Sequence, residues 1–163
     1  DIVRRRRLSA EEAPGYIFTN AFGLRGIMDE KRKGEIGVQA AYAAVGGGSP
    51  SGASYTIIRP GGLEEPKLNR VLGPGELELS QGDALAGIVS RADLAETAIA
   101  AALSDAPNLR NASFELYYTE SAQPCEGRFK SLINDGKVAR LHGNTYETLF
   151  GGIKPDGDYY VPG

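Results

Sequence analysis

The stretch that decides the fold is Tyr55-Thr-Ile-Ile-Arg-Pro-Gly-Gly-Leu63, a β-branched run that stops abruptly at proline and glycine. Its consecutive apolar positions predict a strand that is buried on both faces, as strands of parallel sheets are. Pro60-Gly61-Gly62 predicts a sharp turn at the end of that strand, because glycine enters turn conformations without a side-chain clash.

The segments on either side of this strand alternate between helical and extended patterns. Upstream, apolar residues at helical spacing predict a helix that begins near Ile27 and ends at the glycine-rich loop 46–52. Downstream, the alternation in Glu76-Leu-Glu-Leu79 predicts a short, half-exposed strand, and Ile88-Val89 predicts another extended piece. Ser90-Arg-Ala-Asp93 predicts a helix start, since a hydroxyl at the N-cap precedes a carboxylate by three residues.

The helix after Ser90 is expected to pack through a face of mostly small apolar residues, namely Leu94, Ala95, Ala98, Ile99 and Ala102. A second strand is predicted over residues 114–118 and a weak helix over residues 127–133. The order helix, strand, loop, helix, strand predicts an α/β fold. These strands are too few for a complete doubly wound sheet, so we expect only part of one.

Composition and charge argue against several classes of function. The chain has 163 residues, 41% of them hydrophobic and 24% charged, as expected for one modest domain. A net charge of −3 predicts no nucleic-acid binding by the chain as a whole. Cys125 is the one cysteine and His142 the one histidine, so neither an intrachain disulfide nor a structural zinc site is predicted. With no apolar run near the roughly 20 residues of a membrane span and no visible signal peptide, we expect no membrane span and no secretion.

A block of four arginines, Arg4 to Arg7, stands apart from this acidic background. Like charges repel one another and keep a chain open, so the block favours a solvated arm. An acidic protein partner or peripheral contact with an anionic membrane surface is the alternative, because clustered guanidinium groups attract both.

Three motifs follow one another along the chain. They are Lys31-Arg-Lys-Gly-Glu35 in the first helix, the strand and turn of residues 55–63, and Ile88-Val-Ser-Arg-Ala-Asp-Leu-Ala-Glu96. Their order and spacing resemble the atypical short-chain dehydrogenase/reductase family, and in particular its NmrA-like branch. The resemblance covers about residues 20–120. It implies the C-terminal half of a Rossmann domain, a doubly wound parallel sheet that binds NAD(P) across the carboxyl ends of its strands.

The resemblance also implies a catalytic pair, which this chain lacks in part. Active members of the family use Tyr-x-x-x-Lys, in which the lysine holds the nicotinamide ribose and the tyrosine exchanges a proton. Lys31 matches the lysine, but Ile27 stands where the tyrosine is expected. No residue is therefore predicted to be catalytic, and the chain is not expected to be an enzyme alone; if it were active, it would be an NAD(P)-dependent oxidoreductase.

Cofactor binding is expected to be incomplete as well. The resemblance places Pro60, Gly61 and Gly62 beside the nicotinamide, so these residues and Lys31 are the candidate NAD(P)-binding residues. The alternative for the turn is that it only ends a buried strand. A Gly-x-Gly-x-x-Gly loop between a strand and a helix is absent from the sequence, so the glycine-rich βαβ half is missing and NAD(P) is not expected to bind this chain alone. Arg91 and Asp93 are expected to serve the helix start rather than a substrate.

The sequence predicts three regions: a polar basic arm over residues 1–20, the half Rossmann domain over 21–122 and a C-terminal extension over 123–163. The function expected first is that of a non-catalytic accessory or assembly subunit, because half a sheet leaves an unpaired edge that needs a protein partner or a large assembly. The alternative is an NAD(P)H-dependent reductase or a dinucleotide sensor whose cofactor-binding half lies elsewhere.

By resemblance to relatives that serve photosystem assembly, chloroplast import and respiratory complex I, an organelle is expected. A plastid is favoured over a mitochondrion. The substrate, the partner and the oligomeric state stay open from the sequence.

Overall fold

A computed structural model of the chain describes residues 26–45, 52–68, 70–125, 127, 129–159 and 161. The chain divides into two units, residues 1–55 together with 163, and residues 56–162. The predicted basic arm of residues 1–20 and most of the glycine-rich loop lie outside the described residues.

The described part of the first unit is dominated by helix α1, which runs from Ile27 to Ala44 and confirms the predicted start. Its first half is charged and carries two short-range ion pairs, Arg32 with Glu35 at 2.8 Å and Lys33 with Glu30 at 2.6 Å. Such pairs at a spacing of three residues stabilise a helix by a few tenths of a kcal/mol each, about 0.2–0.5.

The second unit holds the strands. In chain order its elements are β1 (Thr56–Pro60), β2 (Gly62–Leu63), β3 (Leu77–Ser80), β4 (Leu85–Ala86), β5 (Ile88–Val89), α2 (Arg91–Leu103), β6 (Ala112–Tyr118), β7 (Gln123–Pro124), α3 (Phe129–Asn134), β8 (Arg140–Leu141) and α4 (Tyr146–Phe150). Short 3-10 turns lie at Pro66–Leu68, Pro74–Glu76, Pro107–Leu109 and Thr119–Ser121.

The main sheet has the strand order β1-β6-β3-β8. β1 and β6 are parallel, and the chain between them passes through α2, as in a β-α-β crossover. β3 runs antiparallel to both β6 and β8. A parallel pair joined through a helix confirms the predicted α/β class, and the mixed sheet is consistent with a partial Rossmann-like fold.

β1 lies at one edge of this sheet, and this corrects one expectation. The β-branched run was expected to be buried on both faces, but Thr56, Ile57, Ile58 and Arg59 are all only half-buried. The reason is the strand order: within the described residues β1 pairs only with β6. The outer edge of β1 therefore carries no neighbouring strand in the described part of the chain.

The core lies mainly around β6, whose seven residues are all buried. Phe114, Leu116 and Tyr118 point to one face, where they pack with residues of α2 and α4. Tyr117 points to the other face, where it packs with Phe129 of α3 and a few smaller side chains. α3 and α4 come from the predicted C-terminal extension, so residues 123–159 contribute to the core of the second unit.

β3 is buried throughout, although its alternating sequence predicted a half-exposed strand. Glu78, from the polar half of that alternation, and Ser80, directly after it, face other polar side chains instead of water, whereas Glu76 is exposed in the turn before the strand. Arg140 donates two hydrogen bonds to the Glu78 carboxylate, and the Ser80 hydroxyl donates to Glu115 at 3.1 Å. The side chains of β3 do alternate between apolar and polar, but the polar ones face a buried polar network instead of solvent.

α2 begins as predicted but packs through a different face. The Ser90 hydroxyl accepts a hydrogen bond from the Asp93 amide at 3.0 Å, which confirms the N-cap. The buried residues of the helix are Asp93, Thr97 and Ala101, not the predicted face, of which only Leu94 is half-buried. The prediction was wrong because it assumed that the apolar face is the buried one, whereas hydrogen bonds to Asp93 hold the polar side inward.

Candidate functional site

The Pro60-Gly61-Gly62 turn ends β1 at the carboxyl end of the parallel pair. The Gly61 amide donates a hydrogen bond to the Leu116 carbonyl at 3.0 Å, and the Gly62 amide donates to the Gly87 carbonyl at 2.7 Å. Both glycine amides are thus used within the protein, and Pro60 has none to offer. The turn could still pack against a cofactor, but its glycine amides already donate hydrogen bonds within the protein.

Gly61 is required by the close approach of two backbone segments. A Cβ added at Gly61 would lie 2.1 Å from the Gly87 carbonyl oxygen, whereas one at Gly62 would lie 3.7 Å from the same atom. A Cβ added at Gly87 would in turn lie 2.8 Å from the Tyr117 Cβ. The structural interpretation of this turn, as the sharp end of a strand, therefore has a direct physical basis at position 61.

A cleft opens beside this turn, with about 280 Å³ of empty space that includes open solvent. It is lined by residues of the turn, of β1, β4 and β6, and of the segment before β4: Arg59, Pro60, Gly61, Asp83, Leu85, Ala86, Glu115 and Tyr117. Ligands of open α/β sheets bind outside the carboxyl ends of the strands, and the cleft occupies such a place.

An ion pair crosses the floor of this cleft. Arg59 of β1 donates a hydrogen bond to Glu115 of β6 at 3.1 Å, and the two residues are register partners in the parallel pair. Burial raises the pKa of the Glu115 carboxyl, and the Arg59 charge and the hydrogen bond from Ser80 offset only part of that effect. Glu115 is therefore a buried carboxyl that takes up a proton more readily than usual.

A second buried carboxylate, Glu78, is joined to the cleft through Tyr117. The Tyr117 hydroxyl donates to Glu78 at 3.1 Å, while Arg140 binds both oxygens of the same carboxylate. His142 lies 3.7 Å from Glu78 and is half exposed. Burial raises the pKa of the Tyr117 hydroxyl, and the nearby Glu78 charge adds to the increase. The Tyr117 hydroxyl therefore donates its hydrogen bond within the protein, to Glu78.

Sequence reasoning missed Arg59, Glu115, Glu78 and Arg140. Arg59 lies inside the β-branched strand motif, and no local pattern marks its charge as functional. Its partner Glu115 lies 56 positions later, so only the β1–β6 register brings the two together. A buried-strand pattern interrupted by one charged residue, as both strands have, is the available signal for such a pair.

Lys31, the residue expected to hold the nicotinamide ribose, is exposed on α1 in the first unit. Ile27, at the tyrosine position, is 38% exposed at the start of the same helix. The turn of residues 60–62 belongs to the second unit. The assignment of these four residues to a cofactor stays a prediction.

Asp93 anchors the loop that follows β2. Its carboxylate accepts hydrogen bonds from the amides of Leu72 and Gly73 at about 3 Å and from the Tyr118 hydroxyl at 2.5 Å. Burial raises the Asp93 pKa, but these hydrogen bonds and one from Ser90 outweigh it, so the pKa lies below its usual value. Asp93 and its neighbour Arg91, which donates to the Glu64 carbonyl, thus hold structure together at the helix start.

Within the described residues, no group of three histidine, cysteine or carboxylate side chains could hold a metal ion. None of the described helices is long and apolar enough to cross a membrane.

Comparison with known proteins found one informative relative. No protein-family model matches the chain. The chain is 41% identical over 83 residues to an uncharacterised sugar epimerase, YhfK, of Bacillus subtilis (strain 168). The match takes in 50% of this chain and 34% of the relative, so the chain spans about a third of the length of that protein. Together with the mixed sheet, this similarity fits a Rossmann-like α/β protein, and it does not single out the NmrA-like branch.

Proposed function

We propose that this chain supplies the C-terminal, nicotinamide-side part of an NAD(P)-binding Rossmann-like domain, and that it serves binding rather than hydride transfer. The observation that carries the proposal is the cleft at the carboxyl end of the parallel β1–β6 pair, which is where ligands of such sheets bind. The partial similarity to a protein named as a sugar epimerase supports the same class of cofactor.

The chemistry of the cleft favours a polar ligand. Arg59 and Glu115 supply charge at its floor, while Leu85 and Ala86 supply apolar wall. A nicotinamide or a sugar offers both an apolar ring face and polar substituents, and sites for such ligands combine an apolar lining with a few placed polar groups. If NAD(P) bound in the cleft, Arg59, Glu115 and the apolar wall would orient its nicotinamide end.

Two features argue that the chain binds without catalysing. Ile27 cannot exchange a proton, because its side chain has no ionisable group. The Gly61 and Gly62 amides are already engaged, so they are not free to cradle a phosphate. A phosphate-binding loop must then come from further strands, and the edge of β1 offers a place where one could add in parallel.

The test is a fluorescence titration with NADPH. The chain contains no tryptophan, so protein emission does not obscure the nicotinamide signal. We expect the 163-residue chain alone to bind weakly, with a Kd above about 1 mM. A fusion that adds the missing N-terminal strands and glycine-rich loop of a Rossmann domain is expected to bind NADPH at least tenfold more tightly, about 1.4 kcal/mol or more.

Substitutions in that fusion separate cofactor binding from general effects of charge. Lys31→Ala is expected to weaken NADPH binding about tenfold, or about 1.4 kcal/mol. Lys33→Ala is the matched control, since Lys33 sits two positions away in the same helix and pairs with Glu30. Failure of a folded fusion to bind NADPH, or equal effects of the two substitutions, would contradict the proposal.

A second candidate function is that of an accessory subunit in a larger assembly, and exposed apolar surface on α1 favours it. Ile36 is 47% exposed, Val38 is 39% exposed and Val45, directly after the helix, is 66% exposed. Val38 and Val45 are seven positions apart and so share one side of the helix, and a contiguous exposed apolar patch commonly marks a contact surface. Partner proteins and a plastid or mitochondrial location remain proposals here. Native gel electrophoresis of organelle extracts with an antibody to this chain tests them; migration as a free chain would count against this role.

A further inference from the structure

The outer face of α2 is apolar where a surface helix would normally be charged. Ile99 is 60% exposed and Leu103 is 79% exposed. Three exposed alanines complete a stripe at helical offsets of 0, 3, 4, 7 and 8, consisting of Ala95, Ala98, Ile99, Ala102 and Leu103. We call these five residues the α2 stripe. It lies on the side of the helix away from its buried residues Asp93, Thr97 and Ala101.

The second half of α2 therefore has no charged side chain on any face. After Glu96 the helix reads Thr-Ala-Ile-Ala-Ala-Ala-Leu up to Leu103. A helix that is apolar nearly all round is typical of a buried element, since a surface helix carries polar residues on its outer side. The stripe is thus a surface that favours contact with another apolar surface.

Two charges flank the stripe in a self-complementary way. Arg91 begins α2; its side chain is exposed and donates one hydrogen bond to the Glu64 carbonyl of its own chain, which leaves further guanidinium donors for a partner. Exposed Asp105 lies two residues after the end of α2, and both residues are seven positions from Ala98. If a second α2 packs antiparallel with a two-fold axis near Ala98, each Arg91 lies opposite the partner's Asp105. A two-fold interface brings the same surface of both copies together, so both ion pairs form at once.

We propose that the α2 stripe is a homodimer contact, in which α2 packs antiparallel against α2 of a second copy of this chain. Alanine at three of the five positions lets the helix axes approach to about 8 Å, the short end of the usual range. The stripe then buries Ile99 and Leu103 of each copy against the alanines of the other. This inference does not rest on dinucleotide binding.

The size of the contact sets the expected affinity. A 13-residue helix is about 20 Å long, so one helix pair buries less area than a standard interface of about 1,600 Å². We expect a reversible dimer with a Kd in the range of about 1–100 μM, to be measured by sedimentation velocity over a hundredfold range of concentration.

Ala98→Glu tests the contact because it sets two carboxylates near the two-fold axis. We expect it to weaken the dimer at least tenfold. Ala40→Glu is the matched control, since Ala40 is an exposed alanine on α1. Circular dichroism checks that both variants stay folded. A wild-type chain that is monomeric up to several hundred micromolar, or a dimer that Ala98→Glu leaves intact, overturns the proposal.

A charge exchange distinguishes a second copy from any other occupant of the stripe. Arg91→Glu and Asp105→Arg should each weaken the dimer, and the double variant should restore it, because only a self-contact changes both sides at once. Cysteine crosslinking gives a second readout: in a Cys125→Ser background, Ala98→Cys should form a disulfide-linked dimer and Ala40→Cys should not. No rescue by the double variant together with equal crosslinking would overturn the antiparallel arrangement.

Discussion

The contact between Gly61 and Gly87 can be tested by adding one methyl group. In Gly61→Ala the new Cβ would lie 2.1 Å from the Gly87 carbonyl oxygen, and real Cβ atoms essentially never approach closer than 3.0 Å. The two backbone segments must therefore separate by roughly 1 Å. Gly62→Ala is the matched control, because its Cβ would make only ordinary contacts at 3.7 Å.

The expected loss of stability follows from what that separation breaks. Overpacking a close contact costs about 1–3 kcal/mol. The hydrogen bonds from the Gly61 and Gly62 amides would each weaken, and each contributes about 1 kcal/mol. Alanine also restricts the unfolded chain, which offsets about 0.4–1 kcal/mol of the loss. We expect Gly61→Ala to lower the free energy of unfolding by about 2–3 kcal/mol and Gly62→Ala to change it by less than about 1.

Urea unfolding followed by far-ultraviolet circular dichroism measures both variants. If the free energy of unfolding depends on urea concentration with the same slope in both variants and the parent protein, the same surface is exposed on unfolding, and the midpoints can be compared directly. If the free energies of unfolding of Gly61→Ala and Gly62→Ala lie within about 1 kcal/mol of each other, the close approach of Gly61 to Gly87 is not the reason that position 61 requires glycine.

Three other perturbations concern the buried charges. Asp93→Asn should lower stability above pH 4, because the depressed pKa of Asp93 contributes stability that is lost as pH falls through that pKa; thermal unfolding from pH 3 to 7 should show the two proteins converging in acid. The pKa of Glu115 is raised, so ionisation of its carboxyl destabilises the fold as the pH rises above the ordinary pKa of a glutamate. Glu115→Gln should therefore gain stability relative to the parent protein between pH 4 and 8. A difference in stability that stays constant with pH would contradict this. Arg140→Ala leaves the Glu78 carboxylate buried without its bidentate partner and should cost about 2 kcal/mol, less than for a fully buried pair because Arg140 is 40% exposed; Glu78→Gln in the same background should recover part of that loss in urea unfolding.

Local patterns were sufficient for most elements of the fold. The start of α1 near Ile27 follows from helical spacing, the cap at Ser90 from its hydroxyl and the β1 strand from β-branched residues. Each of these depends on neighbours within a few positions along the chain. Such signals need no knowledge of the tertiary fold.

The errors arose where a distant residue decides the outcome. Glu78 looked like the solvent side of a half-exposed strand, and only its pairing with Arg140, 62 positions later, explains its burial. The packed face of α2 was misassigned because Asp93 draws the polar side inward through Tyr118 and two amides. The cleft has the same origin, since Arg59 and Glu115 meet only through strand register. Periodicity predicts which residues share a face, but not which face meets the core.

The parallel pairing of β1 with β6 has a consequence for how the protein is made. Each β1 residue pairs with a β6 residue 56 positions later in the chain. β3 also pairs with β6, which lies between β1 and β3 in the sheet, so neither strand can form its pairing until β6 has been synthesised. At a synthesis rate of about 5–20 residues per second, roughly 3–10 s separate the emergence of β1 from that of its partner. During that interval the β-branched strand is a nascent segment with both edges open, the kind that chaperones must shield from aggregation. Folding dominated by such long-range pairing is expected to be slow, in the millisecond-to-second range.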